Sequence, residues 1–265
     1  PRDLLGKSWL EMAVIPGGDE LLVRSPSTVR ILSRDMSSGT SFELPPGYSH
    51  VAAGEEFLYI TGPNNEVCSL THDGTQVASY EDPDEFIYSL TLAPGGLLFC
   101  GLSDDDDPEQ DEIIALDAQT LQPRHRFGLS LLNDVRAMVV VSEELFVCDR
   151  GNDRLQVFSL AGEHRRSITG EWKKPAALCL VKDRLYLVEQ NDDKVDADCE
   201  LVNPQQGCSI FVLSLQGDTL QVYTNPVEGH TFTEYLCYFD VKLLVAVQDR
   251  NDAESYAGVM ALAGA

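Results

Sequence analysis

The feature that most constrains this fold is a repeat of about 40 residues. Apolar runs that are typical of buried strands begin at regular intervals, at Leu21, Leu58, Leu97, Leu145, Leu185 and Leu243. The intervals are 37, 39, 48, 40 and 58 residues, which is a common unit with two insertions. A period of this length indicates a modular architecture in which neighbouring units bury one another.

Each unit has the pattern of four short strands. A polar turn and a second apolar strand follow each run, another apolar stretch precedes it across a tight turn, and a more polar strand ends the unit. No segment has sustained helical periodicity. The sequence therefore predicts an all-β protein, a six-bladed β-propeller of four-stranded antiparallel blades, as a single domain over residues 1–265. The innermost strand of each blade is expected to be apolar on both faces. The outermost strand is expected to be more exposed to solvent.

The sixth unit stops after its third strand, GVMALAGA, which would leave an unpaired edge. Residues 2–9, RDLLGKSW, align with the end of the fourth unit, SITGEW, including the glycine and the tryptophan. We therefore expect the N-terminal strand to complete the last blade and close the ring.

One turn and strand has a recognisable signature. Residues 149–158 read DRGNDRLQVF and resemble the NHL-repeat family, whose pattern has Asp, Gly, Asn and Arg at the positions of Asp149, Gly151, Asn152 and Arg154. Only the fourth blade matches in full, and the resemblance implies an NHL-like propeller. Asp and Asn bond their own backbone in tight turns, so these residues are expected to hold a turn rather than form an active site.

The resemblance also raises the alternative of an enzyme. Related six-bladed propellers include calcium-dependent lactonases, strictosidine-synthase-like proteins and an amidating lyase, with their sites at the mouth of the central channel. Aligning the starts of the inner strands on Ala176 gives five channel residues, Glu11, Ser49, Tyr88, Arg136 and Glu234.

These channel residues favour a site without a metal or cofactor. Calcium prefers a cluster of oxygen ligands, and a fixed guanidinium among them would oppose a divalent cation. A zinc site needs several convergent histidines, whereas the five histidines fall at unrelated places in the repeat, with His50 alone near an inner strand. A lactonase, hydrolase or lyase therefore remains the alternative to a non-catalytic binding protein.

Three acidic insertions are the expected working surface. Residues 103–112, 190–207 and 249–255 connect the second and third strands of their blades and carry −7, −4 and −2 charges, or −13 of the formal net charge of −24. They should lie on one face and attract a protein or peptide partner, and a basic partner would suit their charge. The candidate binding residues are Asp104, Asp105, Asp106, Asp107, Asp192, Asp193, Asp249 and Asp252.

The same composition argues against other partners. A net charge of −24 opposes binding to phosphate backbones, so no nucleic acid partner is expected. No apolar run approaches the roughly 20 residues of a membrane-spanning helix, so no membrane insertion is expected.

Seven cysteines leave the compartment open. Five lie in predicted strands and are expected to be small buried hydrophobic residues. Cys199 and Cys208 lie in one insertion and could close its base as a disulfide, in which case the protein would be extracellular or lumenal.

Overall fold

The computed structural model describes residues 11–17, 19–25, 27–45, 47–103, 110–189, 209–224, 230–249 and 256–262. Within these ranges the chain forms antiparallel strands joined by short turns, with one 3₁₀ turn at Arg150–Asn152. The strands, numbered in chain order, are β1 (Glu11–Val14), β2 (Glu20–Arg24), β3 (Thr28–Ser33), β4 (Ser38–Glu43), β5 (Val51–Ala53), β6 (Leu58–Thr61), β7 (Glu66–Leu70), β8 (Gln76–Glu81), β9 (Phe86–Ala93), β10 (Leu97–Ser103), β11 (Glu112–Asp117), β12 (Pro123–Phe127), β13 (Val135–Val141), β14 (Glu144–Asp149), β15 (Arg154–Ser159), β16 (His164–Thr169), β17 (Pro175–Val181), β18 (Arg184–Glu189), β19 (Ser209–Ser214), β20 (Thr219–Thr224), β21 (His230–Phe239), β22 (Lys242–Asp249) and β23 (Tyr256–Leu262).

The strands form consecutive meanders. Five four-stranded sheets run β1 to β4, β5 to β8, β9 to β12, β13 to β16 and β17 to β20, with each strand paired to the next along the chain. The sixth sheet has three strands among the described residues, in the order β21-β22-β23. The structure thus shows an all-β propeller with five complete four-stranded sheets rather than six. Residues 2–9, the predicted closing strand, lie outside the described residues.

The first strand of each sheet is its innermost strand, and these strands are neighbours in order. β1 lies beside both β5 and β21, so the inner strands of all six sheets follow one another around a central channel. Apolar clusters fill the space between each pair of adjacent sheets, including the pair formed by the first and last. Burial between adjacent sheets, rather than one central core, is what holds this fold together.

The burial of a strand depends on its position in the sheet. The second strands are the most buried, since at least four consecutive residues of β2, β6 and β18 are buried. The inner strands are only partly buried because they border the channel. The fourth strands are the most exposed, as expected. In the part of the chain that the structure describes, no helix is long and apolar enough to cross a membrane.

Candidate binding site at the channel mouth

Strand polarity sorts the connections onto two faces. Because consecutive strands are antiparallel, the connections from second to third strands and from fourth to first strands lie on the face where the inner strands begin. We call this the mouth face. Turns between first and second strands lie on the opposite face. The three acidic insertions predicted from the sequence all belong to mouth-face connections.

Two cavities lie along the channel axis. The channel cavity, of about 410 Å³, is lined by the inner strands of all six sheets. The mouth cavity, of about 480 Å³, is built mainly from mouth-face connections of the first three sheets. His50, Arg136 and Tyr235 line both cavities, so the mouth leads into the channel.

The structure brings most of the predicted channel residues to these cavities. Glu11 lines the channel cavity, Ser49 and Tyr88 line the mouth cavity, and Arg136 lines both. Ser49 lies in the connection before β5, and its hydroxyl is 2.7 Å from that of Thr61. The backbone of Glu234 belongs to β21, but its side chain is outside the described part of the structure.

A buried arginine that sequence reasoning missed holds one side of the mouth. The Arg24 side chain is 5% exposed, and its Nε lies 3.4 Å from Glu11 Oε2. Its Nη1 donates a hydrogen bond of 3.1 Å to the carbonyl of Tyr48, in the connection that leaves the first sheet. Arg24 therefore links the start of β1 to the wall of the mouth cavity.

His50 lies beside this pair and is uncharged at neutral pH. Its Nδ1 is 3.8 Å from Glu11 Oε1, which would be an ion pair only if the imidazole were protonated. Burial, followed by the positive charges of Arg24 and Arg136, lowers the pKa of His50 to about 4. The imidazole is therefore a neutral hydrogen-bonding group in a positive electrostatic environment.

Arg136 forms the other charged wall. Its Nε lies 2.5 Å from Asp134 Oδ1, and Asp134 also pairs with Arg150. The guanidinium carbon lies 4.9 Å from the centre of the Tyr88 ring, a cation–π geometry. One carboxylate thus fixes two arginines here, and Asp134 does so from the left-handed backbone region with φ of 57°.

Aromatic side chains complete the mouth cavity. Tyr48, Phe86, Tyr88 and Tyr235 line it, and the rings of Phe86 and Tyr88 are 6.2 Å apart. Phe86 is 50% exposed although it begins a strand, and an exposed aromatic residue at a cavity rim is available to a ligand. Burial raises the pKa of Tyr48 to about 12, so its hydroxyl stays protonated.

The charged side chains that line the mouth cavity are cationic, although the chain as a whole is acidic. Among the described side chains that line the mouth cavity, the two permanently charged groups are Arg24 and Arg136, and none is a carboxylate. If the carboxylates behind them are included, three guanidinium groups, those of Arg24, Arg136 and Arg150, lie against Glu11 and Asp134. Glu66 accepts a hydrogen bond from Tyr48 beside the cavity and adds a third carboxylate, so these described charges balance.

A comparison of repeat positions would have revealed Arg24. The second strands of the first five sheets each end on a buried polar residue, namely Arg24, Thr61, Ser103, Asp149 and Glu189. We call each such place, with the connection that it contacts, a blade corner. The signal in the sequence was an arginine at a position where the other four corners are neutral or acidic.

The NHL-like residues form the corner of the fourth blade. Asp149 is fully buried and accepts hydrogen bonds from Asn133 N at 2.8 Å, from Asn152 Nδ2 at 2.9 Å and from Arg154 Nε at 2.6 Å. A Cβ at Gly151 would collide with the side-chain amide of Asn133. The motif therefore ties a turn to the connection that enters its own blade, which is the structural role expected from the sequence.

A cluster around Arg126 at the start of the third blade holds an excess of carboxylates. Arg126 lies 2.5 Å from both Asp82 Oδ2 and Glu112 Oε1, and 4.0 Å from Glu85 Oε1. The other oxygen of Glu85 is buried without a hydrogen-bond partner. Burial, followed by repulsion from Glu112 and Asp82, raises the pKa of Glu85 to about 7.

Most of the predicted acidic surface lies outside the described residues. This applies to Asp104, Asp105, Asp106, Asp107, Asp192, Asp193 and Asp252, and also to Cys199 and Cys208. Asp249 is the last residue of β22, so its backbone lies at the end of a strand rather than in the connection predicted there. The five cysteines predicted in strands are free thiols in strands, Cys68, Cys100, Cys148, Cys179 and Cys237. Within the described ranges, no group of three or more His, Cys, Asp or Glu side chains is placed to hold a metal ion.

Comparisons with known proteins support the fold. No family model matches the chain, so membership of the NHL-repeat family stays a prediction. No curated protein matches it either. Among solved structures, it is similar to a protein of unknown function from Bacteroides caccae, with a TM-score of 0.59 and 12% identity over 81% of this chain and 80% of that one. It is also similar to BamB from Moraxella catarrhalis, with a TM-score of 0.56 and 14% identity over 96% of this chain and 82% of that one. At these identities the likeness shows the fold alone, a β-propeller.

Proposed function

We propose that this protein is a non-catalytic propeller that binds a protein or peptide through its mouth face, as an interaction scaffold or as a subunit of a larger assembly. The observation that carries the proposal is an open mouth cavity of about 480 Å³ with the half-exposed Phe86 at its rim. Ligand sites are typically concave, partly apolar and about 300–1,000 Å³ in volume.

Six large apolar side chains are exposed among the described residues, and two of them lie on this face, whereas Val77, Leu220 and Val222 lie on the outer strands β8 and β20. Phe86 and Leu129, 50% and 53% exposed, lie at the ends of connections between fourth and first strands, on the mouth face. Val241, 73% exposed, lies in a turn on the opposite face. Large apolar side chains at a cavity rim are common anchors of protein interfaces, whereas an isolated exposed valine is ordinary.

The charge of the insertions suggests the chemistry of the partner. The sequence places −13 charges in three mouth-face insertions, and an acidic rim would steer a basic partner toward the cavity. The same field disfavours nucleic acid.

The alternative function is a calcium-dependent lactonase or hydrolase, or a lyase, at the channel mouth. One observation favours it: Glu11 and the neutral His50 lie 3.8 Å apart at the channel, where a carboxylate and an imidazole could share acid–base chemistry. A calorimetric titration with calcium separates the two functions. One tight site in the wild type that Glu11→Gln removes would support the enzyme and contradict the scaffold.

Photo-crosslinking tests the scaffold directly. Benzoylphenylalanine replaces Phe86 in one variant and Val241 in a matched control on the opposite face. In extract from the source organism, we expect a discrete protein adduct from position 86 and none from position 241. Equal yields from both positions, or no adduct from position 86, would contradict binding at the mouth face.

We also propose that residues 2–9 complete the sixth sheet, giving six four-stranded blades. The support is that β23 is an edge strand among the described residues and that RDLLGKSW resembles the end of the fourth unit. Deleting residues 1–8 should then cost several kcal/mol of a total stability of about 5–15 kcal/mol and promote aggregation. An unchanged melting temperature would contradict this closure.

A further inference from the structure

We propose that the strand β20 is a docking edge, to which an extended segment of a partner protein adds as a further strand of the fifth sheet. The segment carries apolar residues two positions apart and basic residues at its flanks. This edge lies on the outer circumference of the propeller rather than at the channel. The inference therefore goes beyond the proposed function and does not depend on the mouth cavity.

The first support is the backbone of β20. In the part of the chain that the structure describes, β20 pairs with β19 and is the last strand of its sheet. The pairing shifts register once, between Val212 and Leu213, so residues 221–224 form the regular part of the edge. Backbone N–H and C=O groups along the open side of an edge strand are a template for another strand. The backbone therefore selects an extended peptide chain as the ligand.

The second support is apolar surface on the same strand. The side chains of Leu220 and Val222 are 51% and 45% exposed. Val222 lies opposite Phe211 of β19, which belongs to the apolar cluster between the fourth and fifth sheets. Val222 thus extends the apolar surface of that cluster to the edge of the sheet. Because alternate residues of a strand share a face, an added strand would cover this surface with apolar residues two positions apart.

The third support is a comparison with the outer strands of the other four-stranded sheets. Charged residues and proline on an edge strand hinder the addition of another strand. The sequence of β20, TLQVYT, contains neither. The charged residues in the other four outer strands are Glu43 in β4, Glu81 in β8, Arg124 and Arg126 in β12, and Arg165 and Arg166 in β16. Among these five described outer strands, β20 is the one without this protection.

The charge of the chain selects a partner protein rather than a second copy. Two copies would each carry a net charge of −24. One pair of six-residue strands is also a small contact compared with the roughly 1,200–2,000 Å² that stable interfaces bury. A segment with lysine or arginine at its flanks is instead attracted by the same electrostatic field. The occupant that fits this edge is therefore a basic, extended segment of another protein.

A synthetic peptide tests whether the edge accepts a strand. The probe is acetyl-Lys-Thr-Val-Thr-Val-Thr-Lys amide, and its control has N-methyl groups on two adjacent central residues, which removes one N–H donor from each edge of the peptide strand. Calorimetry measures binding, and hydrogen exchange of the protein's backbone amides locates the site. We expect the probe to slow exchange within β20 and the N-methyl peptide to bind at least about ten-fold more weakly.

Matched variants locate the contact by a measurement of affinity. Val222→Lys places a charge on the docking edge and should weaken binding of the probe at least about ten-fold. Val77→Lys makes the same substitution on β8, at a side chain that is 49% exposed, and should bind the probe as the wild type does. Melting curves ensure that only folded protein is compared, and the exchange experiment on the wild type needs no variant.

Several outcomes would overturn the inference: no binding of the probe at millimolar concentration, equal binding of the N-methyl peptide, wild-type affinity of Val222→Lys, or slowed exchange in another strand. Analytical ultracentrifugation tests the other occupant, since a wild-type dimer that Val222→Lys abolishes would assign the edge to a second copy and overturn the proposed partner. An adduct from position 86 without strand addition at β20 overturns this inference alone. Strand addition at β20 without an adduct from position 86 supports it and contradicts binding at the mouth face.

Discussion

The corners of the first and fourth blades occupy the same place in the repeat but are built from opposite charges. At the fourth, Asp149 is fully buried and accepts hydrogen bonds from a backbone amide, Asn152 and Arg154. At the first, Arg24 takes the equivalent position and lines a cavity. The polar groups of the Asp149 corner bind one another and hold a turn. At the Arg24 corner, part of the polar surface lines a cavity that a ligand can enter.

This difference distinguishes a structural motif from a candidate binding site. The fourth corner has the recognisable sequence signature because many side chains must fit one another there. The first corner has no such signature, because only one residue, Arg24, departs there from the other blades. In this propeller the conspicuous motif stabilises the fold, and the departure from the repeat marks the candidate site.

The largest expected effect follows from breaking the fourth corner. Asp149→Asn removes the charge that holds Arg154, and loss of one partner of a buried ion pair costs about 3–5 kcal/mol. Equilibrium unfolding in urea measures this cost. Asp183→Asn, at a carboxylate whose side chain is 87% exposed, is the control and should change stability by less than about 0.5 kcal/mol. Equal unfolding midpoints for the two variants would contradict the structural role of the corner.

The first corner should be sensitive to acid. The folded state holds the pKa of His50 near 4, below its ordinary value of 6.5, so the unfolded state binds more protons between these values. Stability should therefore fall as the pH drops from 6.5 to 4, by up to about 3 kcal/mol at about 1.4 kcal/mol per pH unit. His50→Gln should abolish this part of the pH dependence. An NMR titration midpoint for His50 near 6.5 would contradict the positive environment that we assign to the mouth.

The carboxylate cluster around Arg126 should respond in the opposite sense. The pKa of Glu85 is raised to about 7 from an ordinary 4.5, so the folded state binds more protons between these values and loses stability as the pH rises through them. Glu85→Gln mimics the neutral form and should stabilise the protein at pH 8 by about 1–2 kcal/mol, less than the full shift because part of the side chain is solvated. The same variant at pH 4 is its own control, since the wild-type carboxyl group is then neutral too. A gain in stability that is the same at both pH values would contradict the repulsion among these carboxylates.

The smallest effect on stability is expected in the acidic insertion of the third blade. Replacing Asp104, Asp105, Asp106 and Asp107 by Asn should change unfolding by less than about 0.5 kcal/mol, as is usual for surface loops. Association with a basic partner should slow and become less sensitive to salt, because long-range charge mainly sets the encounter rate. Stopped-flow kinetics at low and high salt measure this. An unchanged association rate at low salt would assign the insertion to solubility and leave the mouth cavity as the recognition element of the mouth face.

The fold was predictable because apolar runs recur in the sequence about every 40 residues. Each unit must bury its faces against its neighbours, so the period alone predicted strands, sheet order and the position of the inner strands. The inner strands are largely apolar, as expected, but they are only partly buried because they border an open channel, and the second strands are the most buried. The channel residues Tyr88 and Arg136 were found because they share one repeat position.

The charge balance of the mouth was decided by the tertiary structure alone. Arg24, His50 and Arg136 come from three different sheets, and their mutual effects depend on burial and on distances of a few ångströms, neither of which a repeat alignment contains. Net charge is a sum over the whole chain and indicated only a basic partner. Electrostatic energy varies with position and with exclusion of water, so packing can line a cavity with arginines within an acidic protein.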